Sequence, residues 1–189
     1  MRCFDGHCDT PVELWLQEKQ LRSSDLAVSL DKAAGLGGYA QFFAFCTAWI
    51  ETRMPHTEHF SRALDYFLAQ LRKNEDRITL CCTAPEAEAA MQAGKCAAFL
   101  AIEGAEAVRE DEGLLELAYE AGVRMVSLVW NLPNGLSGSG REVIRRSPVK
   151  TPGEFRLRRV FFCPRRDCRE AAGCNFLPAM LYSLSLIHI

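Results

Sequence analysis

The chain has 189 residues, of which 49% are apolar and 24% charged, with a formal net charge of −2. These values fit one ordinary globular domain, or part of a larger one, with a real hydrophobic core. The overall charge argues against a nucleic-acid or anionic-membrane binder, and no apolar run approaches the ~20 residues that span a bilayer.

The N-terminus, with one Arg and then Asp, His and Asp within nine residues, lacks a secretory pattern, so a cytoplasmic location is expected. The nine cysteines fall in apolar runs (Cys46, Cys81, Cys82, Cys96) or singly in loops. They read as reduced, mostly buried thiols. Cys163, Cys168 and Cys174 lack the Cys-x-x-Cys knuckle of a structural zinc site.

In chain order, Phe4 and Asp5 read as a short strand that ends in a loop carrying His7 and Asp9. Pro11 to Gln20 reads as a helix, with proline in its first turn. Ala40 to Thr47 is a continuous apolar run of the kind found in strands buried on both faces. Thr57 to Lys73 is a long amphipathic helix, with Phe60, Leu64, Phe67, Leu68 and Leu71 at three- and four-residue intervals. Ile78 to Cys82 is another strand, followed by the capping box Thr83–Glu86 and a helix that stops at Gly94. Cys96 to Ile102 is a buried strand with Glu103 and Gly104 at its C-terminal end. A helix over Glu112 to Ala121 and a strand over Val123 to Trp130 complete the regular part.

Alternating strands and helices with unalternating apolar strands mean a parallel α/β sheet. Periodicity does not separate a closed barrel from an open doubly wound sheet. The absence of a Gly-x-Gly-x-x-Gly turn or a phosphate loop favours the barrel over a nucleotide-binding sheet.

Composition breaks near residue 141. Residues 1–140 hold 12 Lys and Arg against 20 Asp and Glu, a balance of −8; residues 141–189 hold 10 against 4, a balance of +6. The break falls inside a helix just beginning at Arg141. The division expected is therefore residues 1–146 as one unit and 147–189 as an atypical basic tail. A shifted reading frame or a mis-joined fragment explains that tail better than a basic arm contacting acidic partners or RNA.

Chemistry concentrates at strand ends. His7 and Asp9 are two apart, so an extended backbone sends both side chains from one face. Glu103 follows a second buried strand. In a barrel such strand ends converge, and one imidazole with two carboxylates suits Zn²⁺ or a similar divalent ion. The competing readings are a polar surface His7, an Asp9 that caps the following helix, and a solvated Glu103.

The motifs resemble the membrane (renal) dipeptidase family. Asp5-Gly6-His7-Cys8-Asp9-Thr10-Pro11 is similar to that family's Asp-Gly-His-Asn-Asp opening, with Cys8 in place of the Asn. Gly38-Tyr39-Ala40-Gln41-Phe42 resembles its second-strand segment of glycine followed by Gln-Phe, and Ile102-Glu103-Gly104 its Ile-Glu-Gly motif. Tyr119 to Arg124, Trp130-Asn131-Leu132-Pro133-Asn134 and Gly140 to Val143 resemble three further segments, so the likeness runs over about residues 3–146. It implies a (β/α)₈ barrel, of which this chain holds roughly the first half.

The resemblance further implies a zinc-dependent hydrolase in which a metal-bridging hydroxide cleaves dipeptides. His7 and Asp9 would bind one of two Zn²⁺ ions, and Glu103 would bridge both as the catalytic carboxylate. The implied partner is a dipeptide substrate, without nucleic acid or membrane, and a homodimer suits an intact barrel. The family draws its second-metal histidines from the second half of the barrel. The chain has only His7, His56, His59 and His188. His56 and His59 match no family ligand and read as surface polar residues. An inactive fragment is therefore expected; the rival of another class is a non-catalytic α/β binding or interaction protein with a basic tail.

Overall fold

The computed structural model describes residues 2–48, 54–131, 134 and 136, and the backbone of a strand at 186–188. In chain order the elements are β1 (Arg2–Cys8), α1 (Thr10–Leu16), α2 (Leu30–Ala33), β2 (Gly38–Cys46), α3 (His56–Lys73) and β3 (Ile78–Leu80). They continue with α4 (Ala84–Gln92), β4 (Cys96–Glu103), α5 (Glu106–Glu110), α6 (Leu114–Glu120), β5 (Val123–Ser127) and β6 (Leu186–His188). No helix among the described residues is long and apolar enough to cross a membrane.

The sheet runs β1-β2-β4-β5-β6, with β3 also beside β4. The first five strands are parallel, as the unalternating apolar runs require. β4 is the hub. One edge pairs with β2 over its whole length, from Tyr39↔Cys96 to Cys46↔Glu103. The other is shared, with β3 on Cys96–Ala98 and β5 on Leu100–Glu103. β6 pairs antiparallel with β5 and so departs from an all-parallel barrel. The remainder of 147–189 lies outside the described residues, as do Cys163, Cys168 and Cys174.

Strand alternation gives the sheet two faces. Phe43 and Phe45 point to α3, where they meet Phe67 and Phe60 at ring-centroid distances of 4.8 and 5.5 Å. All four rings are fully buried, each contributing about 2–3 kcal/mol of burial. The opposite face is built in tiers. At its N-terminal end Ala40 and Ala97 pack with Ala87 and Ala90 of α4, the small side chains allowing close approach. In the middle Phe42 stacks on Phe99 at 5.0 Å and meets Phe4 edge-on at 6.0 Å. Phe4 stays 51% exposed. At the C-terminal end stand Cys46, Glu103 and Ser127, which alternation and register place at one level.

Several boundaries differ from the sequence expectation. β1 runs on to Cys8, so His7 belongs to the strand rather than to a loop. α1 stops at Leu16, where Glu18 takes the left-handed conformation at φ 52. β3 and β5 are shorter than expected, and the short helices α2 and α5 are additional. The capping box holds: Thr83 Oγ1 accepts from Glu86 N–H, and Glu86 Oε2 accepts from Thr83 N–H at 3.1 Å. Gly94 and Gly122 terminate their helices at φ 74 and 101. Cys8, Cys46, Cys81 and Cys96 are buried, as expected of structural thiols. Burial pushes the Cys8 and Cys96 thiols up to about 12 and Cys81 to about 11, which keeps them protonated.

The reading of His59 as a surface residue is overturned. His59 is 1% exposed. It lies one turn before Ala63 and two before Phe67 on the apolar stripe of α3, and its ring meets Trp15 of α1 edge-on at 4.8 Å. Neither of its ring nitrogens has a hydrogen-bonding partner among the described residues. His56 is partly buried, with Nδ1 3.2 Å from the Thr47 carbonyl.

Burial lowers the His59 pKa below the usual 6.5, with the nearby His56 acting in the same direction. Below pH 6.5 the unfolded chain therefore binds more protons than the folded one. Stability is full above that value and falls as pH drops toward the folded pKa. In His59→Leu, urea midpoints measured between about pH 7 and 5 are expected to fall less than in the wild type. An equal fall in both proteins would overturn this assignment.

Candidate functional site

β1 carries a bulge that decides which residues reach the site. The register steps from Asp5↔Gln41 to Cys8↔Phe43, three residues on β1 against two on β2. Continuing the earlier register would put His7 opposite Phe43, on the helix-covered face. The extra residue reverses this. Cys8 turns into the core, while His7 and Asp9 turn to the face that carries Glu103. Burial agrees: Phe4 is exposed, whereas Cys8, four positions on, is buried.

The structure brings together all three residues singled out in the sequence. His7 Nε2 lies 3.5 Å from Asp9 Oδ1 and 3.5 Å from Glu103 Oε2. One ligand atom from each falls within 4.8 Å of the others. Asp9 occupies the N-cap position of α1, yet its side chain makes no capping bond. Pro11 has no N–H to offer, and Val12 N–H bonds the Asp9 carbonyl instead, at 3.2 Å. The helix-cap alternative therefore falls away. Asp9 Oδ1 is shut off from solvent and faces the His7 ring rather than the helix.

The electrostatics describe a group of acids around one base. The Asp9 carboxylate facing its ring raises the His7 pKa, helped by Glu103 and Asp5 and opposed by burial. Burial raises the Glu103 pKa, with the charge of Asp9 adding to it. The His7 ring and a hydrogen bond from the Cys46 thiol pull it the other way. Glu103 is the most enclosed of the three, its side chain 23% exposed. Two carboxylates crowded beside one imidazole, with Asp9 Oδ1 shut off from solvent, form a donor set that fits a divalent cation. Such an ion would relieve the mutual repulsion.

Several supporting residues were not legible as such. Gly104 adopts φ 80, turning the chain away directly after Glu103. Its N–H donates to Ser127 Oγ at 2.9 Å, and Ala105 N–H donates to the Leu128 carbonyl at 3.2 Å. Asn134 Nδ2 donates to the Leu128 carbonyl at 2.7 Å and to Glu106 Oε1 at 3.0 Å. In the sequence Asn134 is only one letter of a motif. Farther from the cluster, Thr57 N–H at the start of α3 donates to Glu110 Oε2 of α5 at 3.0 Å.

The sequence model of the membrane dipeptidase family (peptidase family M19) matches residues 1–150. Among curated proteins, an uncharacterized protein in the PQQ-III 3′ region of Acinetobacter calcoaceticus is 24% identical over 193 residues, covering 78% of this chain and 60% of that one. Among solved structures, the metallopeptidase dipeptidase AC superposes with a TM-score of 0.59 at 23% identity, covering 69% of this chain and 43% of its own. A Rhodobacter sphaeroides metallopeptidase, liganded with a phosphinate mimic of the dipeptide L-Ala-D-Ala, gives 0.58 at 21% identity, with coverages of 71% and 47%. The probable dipeptidase PvdM of Pseudomonas aeruginosa gives 0.58 at 15%, with coverages of 69% and 35%. The fold is thus that of these dipeptidases, and the chain spans less than half the length of each.

The turn after Glu103 yields a stability test. An alanine at position 104 must hold a left-handed conformation, and its Cβ meets the Glu106 carboxylate. Gly104→Ala is expected to cost about 1–2 kcal/mol in urea unfolding, and Ser127→Ala about 1 kcal/mol. An unchanged midpoint in both would show that this turn is not held as described.

Proposed function

The chain belongs to the membrane dipeptidase family, peptidase family M19, and from that premise we propose that its residues form the first-metal half of a dipeptide-hydrolysing site. The observation that carries the reading is the meeting of His7, Asp9 and Glu103 on the face opposite the helical core, with one ligand atom of each within 4.8 Å of the others. In this reading His7 and Asp9 would hold one Zn²⁺, and Glu103, presented from β4, would be the carboxylate shared with a second. A bound ion of this kind supplies a Lewis acid that polarises a peptide carbonyl and eases the deprotonation of water.

The protein's own part is positioning. β1 and β4 deliver the ligands from two strand ends. The Cys46 thiol and the Ser127–Gly104 bond hold Glu103 in place. α4 closes the opposite end of the face, so a substrate approaches from the strand ends. A dipeptide is the substrate class that fits, since the Rhodobacter sphaeroides relative accommodates a mimic of one. The histidines that serve a second metal in the family have no matching positions among the four of this sequence. The 189-residue chain by itself is therefore expected to be inactive.

Zinc titration by calorimetry tests the ligand set. Zinc-dependent heat is expected from the wild-type chain, and Glu103→Ala should weaken binding about tenfold or more. No heat, or heat unaffected by the substitution, would overturn the metal reading and favour a non-catalytic binding protein. Hydrolysis of Ala-Ala with added zinc is expected to stay at the metal-only rate; turnover above that blank would sink the inactivity claim.

A further inference from the structure

We propose that Asp5 and Gln41 are positioning residues: together they pin the β1 bulge that aims His7 and Asp9 at Glu103. The proposal rests on the reading of those three as metal ligands, and its geometry is independent of any ion. Asp5 and Gln41 are the last pair in register before the bulge. Asp5 Oδ1 accepts the backbone N–H of His7 at 3.1 Å, folding the strand back on itself over two residues. Gln41 Nε2 donates to the Asp5 carbonyl at 3.3 Å and to the Phe42 carbonyl at 2.8 Å. Gln41 Oε1 in turn accepts from the Tyr39 hydroxyl. A hydrogen-bonded chain thus runs from Tyr39 through Gln41 and Asp5 to the amide of His7.

The placement of Gln41 is what calls for a role. It is fully buried, in a strand whose neighbours on the same face are Tyr39, Phe43 and Phe45. An aliphatic residue there would fill the core without a polar group to satisfy, and a buried amide is tolerated only when fully bonded. Gln41 is fully bonded, and one bond goes to the backbone where β1 changes register. Bulges leave a backbone unit without its ladder partner. Here the Gln41 amide and the Asp5 carboxylate take the place of that ladder. Without them the strand can regain regular pairing, which returns His7 to the helix-covered face.

Asp5 also carries a charge close to His7, so the test separates charge from hydrogen bonding. Asp5→Ala removes both, whereas Asp5→Asn removes the charge and keeps an amide oxygen able to accept from His7 N–H. The probes are Co²⁺ titration, read by its visible absorption bands, and hydrogen exchange of the His7 amide in the metal-free chain. Asp5→Ala is expected to weaken Co²⁺ binding about tenfold or more and to speed His7 amide exchange, while Asp5→Asn stays near the wild type in both. Gln41→Leu should match Asp5→Ala; if it does not fold, the Asp5 pair decides. Wild-type Co²⁺ affinity in Asp5→Ala overturns the proposal. So does an Asp5→Asn as weak as Asp5→Ala, because the charge and not the bond then matters. A wild-type chain that binds no Co²⁺ sinks the ligand reading instead, and His7 amide exchange then decides the proposal: unchanged exchange in Asp5→Ala overturns it.

Discussion

A single extra residue in β1 is the constraint on which the site depends. Side chains on a strand alternate with period two, so one inserted residue sends everything after it to the opposite face. Without it, an imidazole and a carboxylate would enter the layer of Phe43, Phe45, Phe60 and Phe67, where neither charge could be hydrated. Cys8, a small apolar thiol, takes that place and packs with the core. The ligands and the core are thus two outcomes of one backbone irregularity.

The sheet around this bulge divides its labour by height. Alanines under α4 close one end, three aromatic rings fill the middle, and the acids and the imidazole occupy the far end. β4 contributes to every tier through Ala97, Phe99 and Glu103. It does so because both of its edges are paired, one by β2 alone and the other by β3 and β5 in succession. A carboxylate on such a strand is held more firmly than one on an edge. This suits Glu103, the most enclosed of the three candidate ligands.

Much of this was legible in the sequence, for physical reasons. Unalternating apolar runs located β2 and β4, since a strand covered on both faces has no polar side to reveal. Thr83 with Glu86, and the glycines at 94 and 122, marked helix ends by local backbone chemistry that needs no tertiary context. His7, Asp9 and Glu103 stood out because strand ends converge in parallel sheets. The bulge was not legible, because Asp5, Gly6 and His7 read equally well as strand or loop; only pairing with β2 defines the extra residue. His59 reads as a surface residue because it matches no family ligand, although its spacing to Ala63 and Phe67 puts it on the buried stripe. Ser127 and Gln41 act through backbone groups far away in sequence, which no local pattern records.

The link between α5 and α3 has a mechanical consequence. α5 begins three residues after Glu103, and its last residue, Glu110, holds the Thr57 amide in the first turn of α3, the longest helix among those described. α3 in turn is anchored in the aromatic layer beneath β2. The loop beyond β4 is therefore strapped at both ends, by the strand behind it and by a helix seated in the core. Any rearrangement that swung Glu103 outward would have to drag that strap or release it. Rigidity at the acid thus draws on the packing of phenylalanines that never touch it.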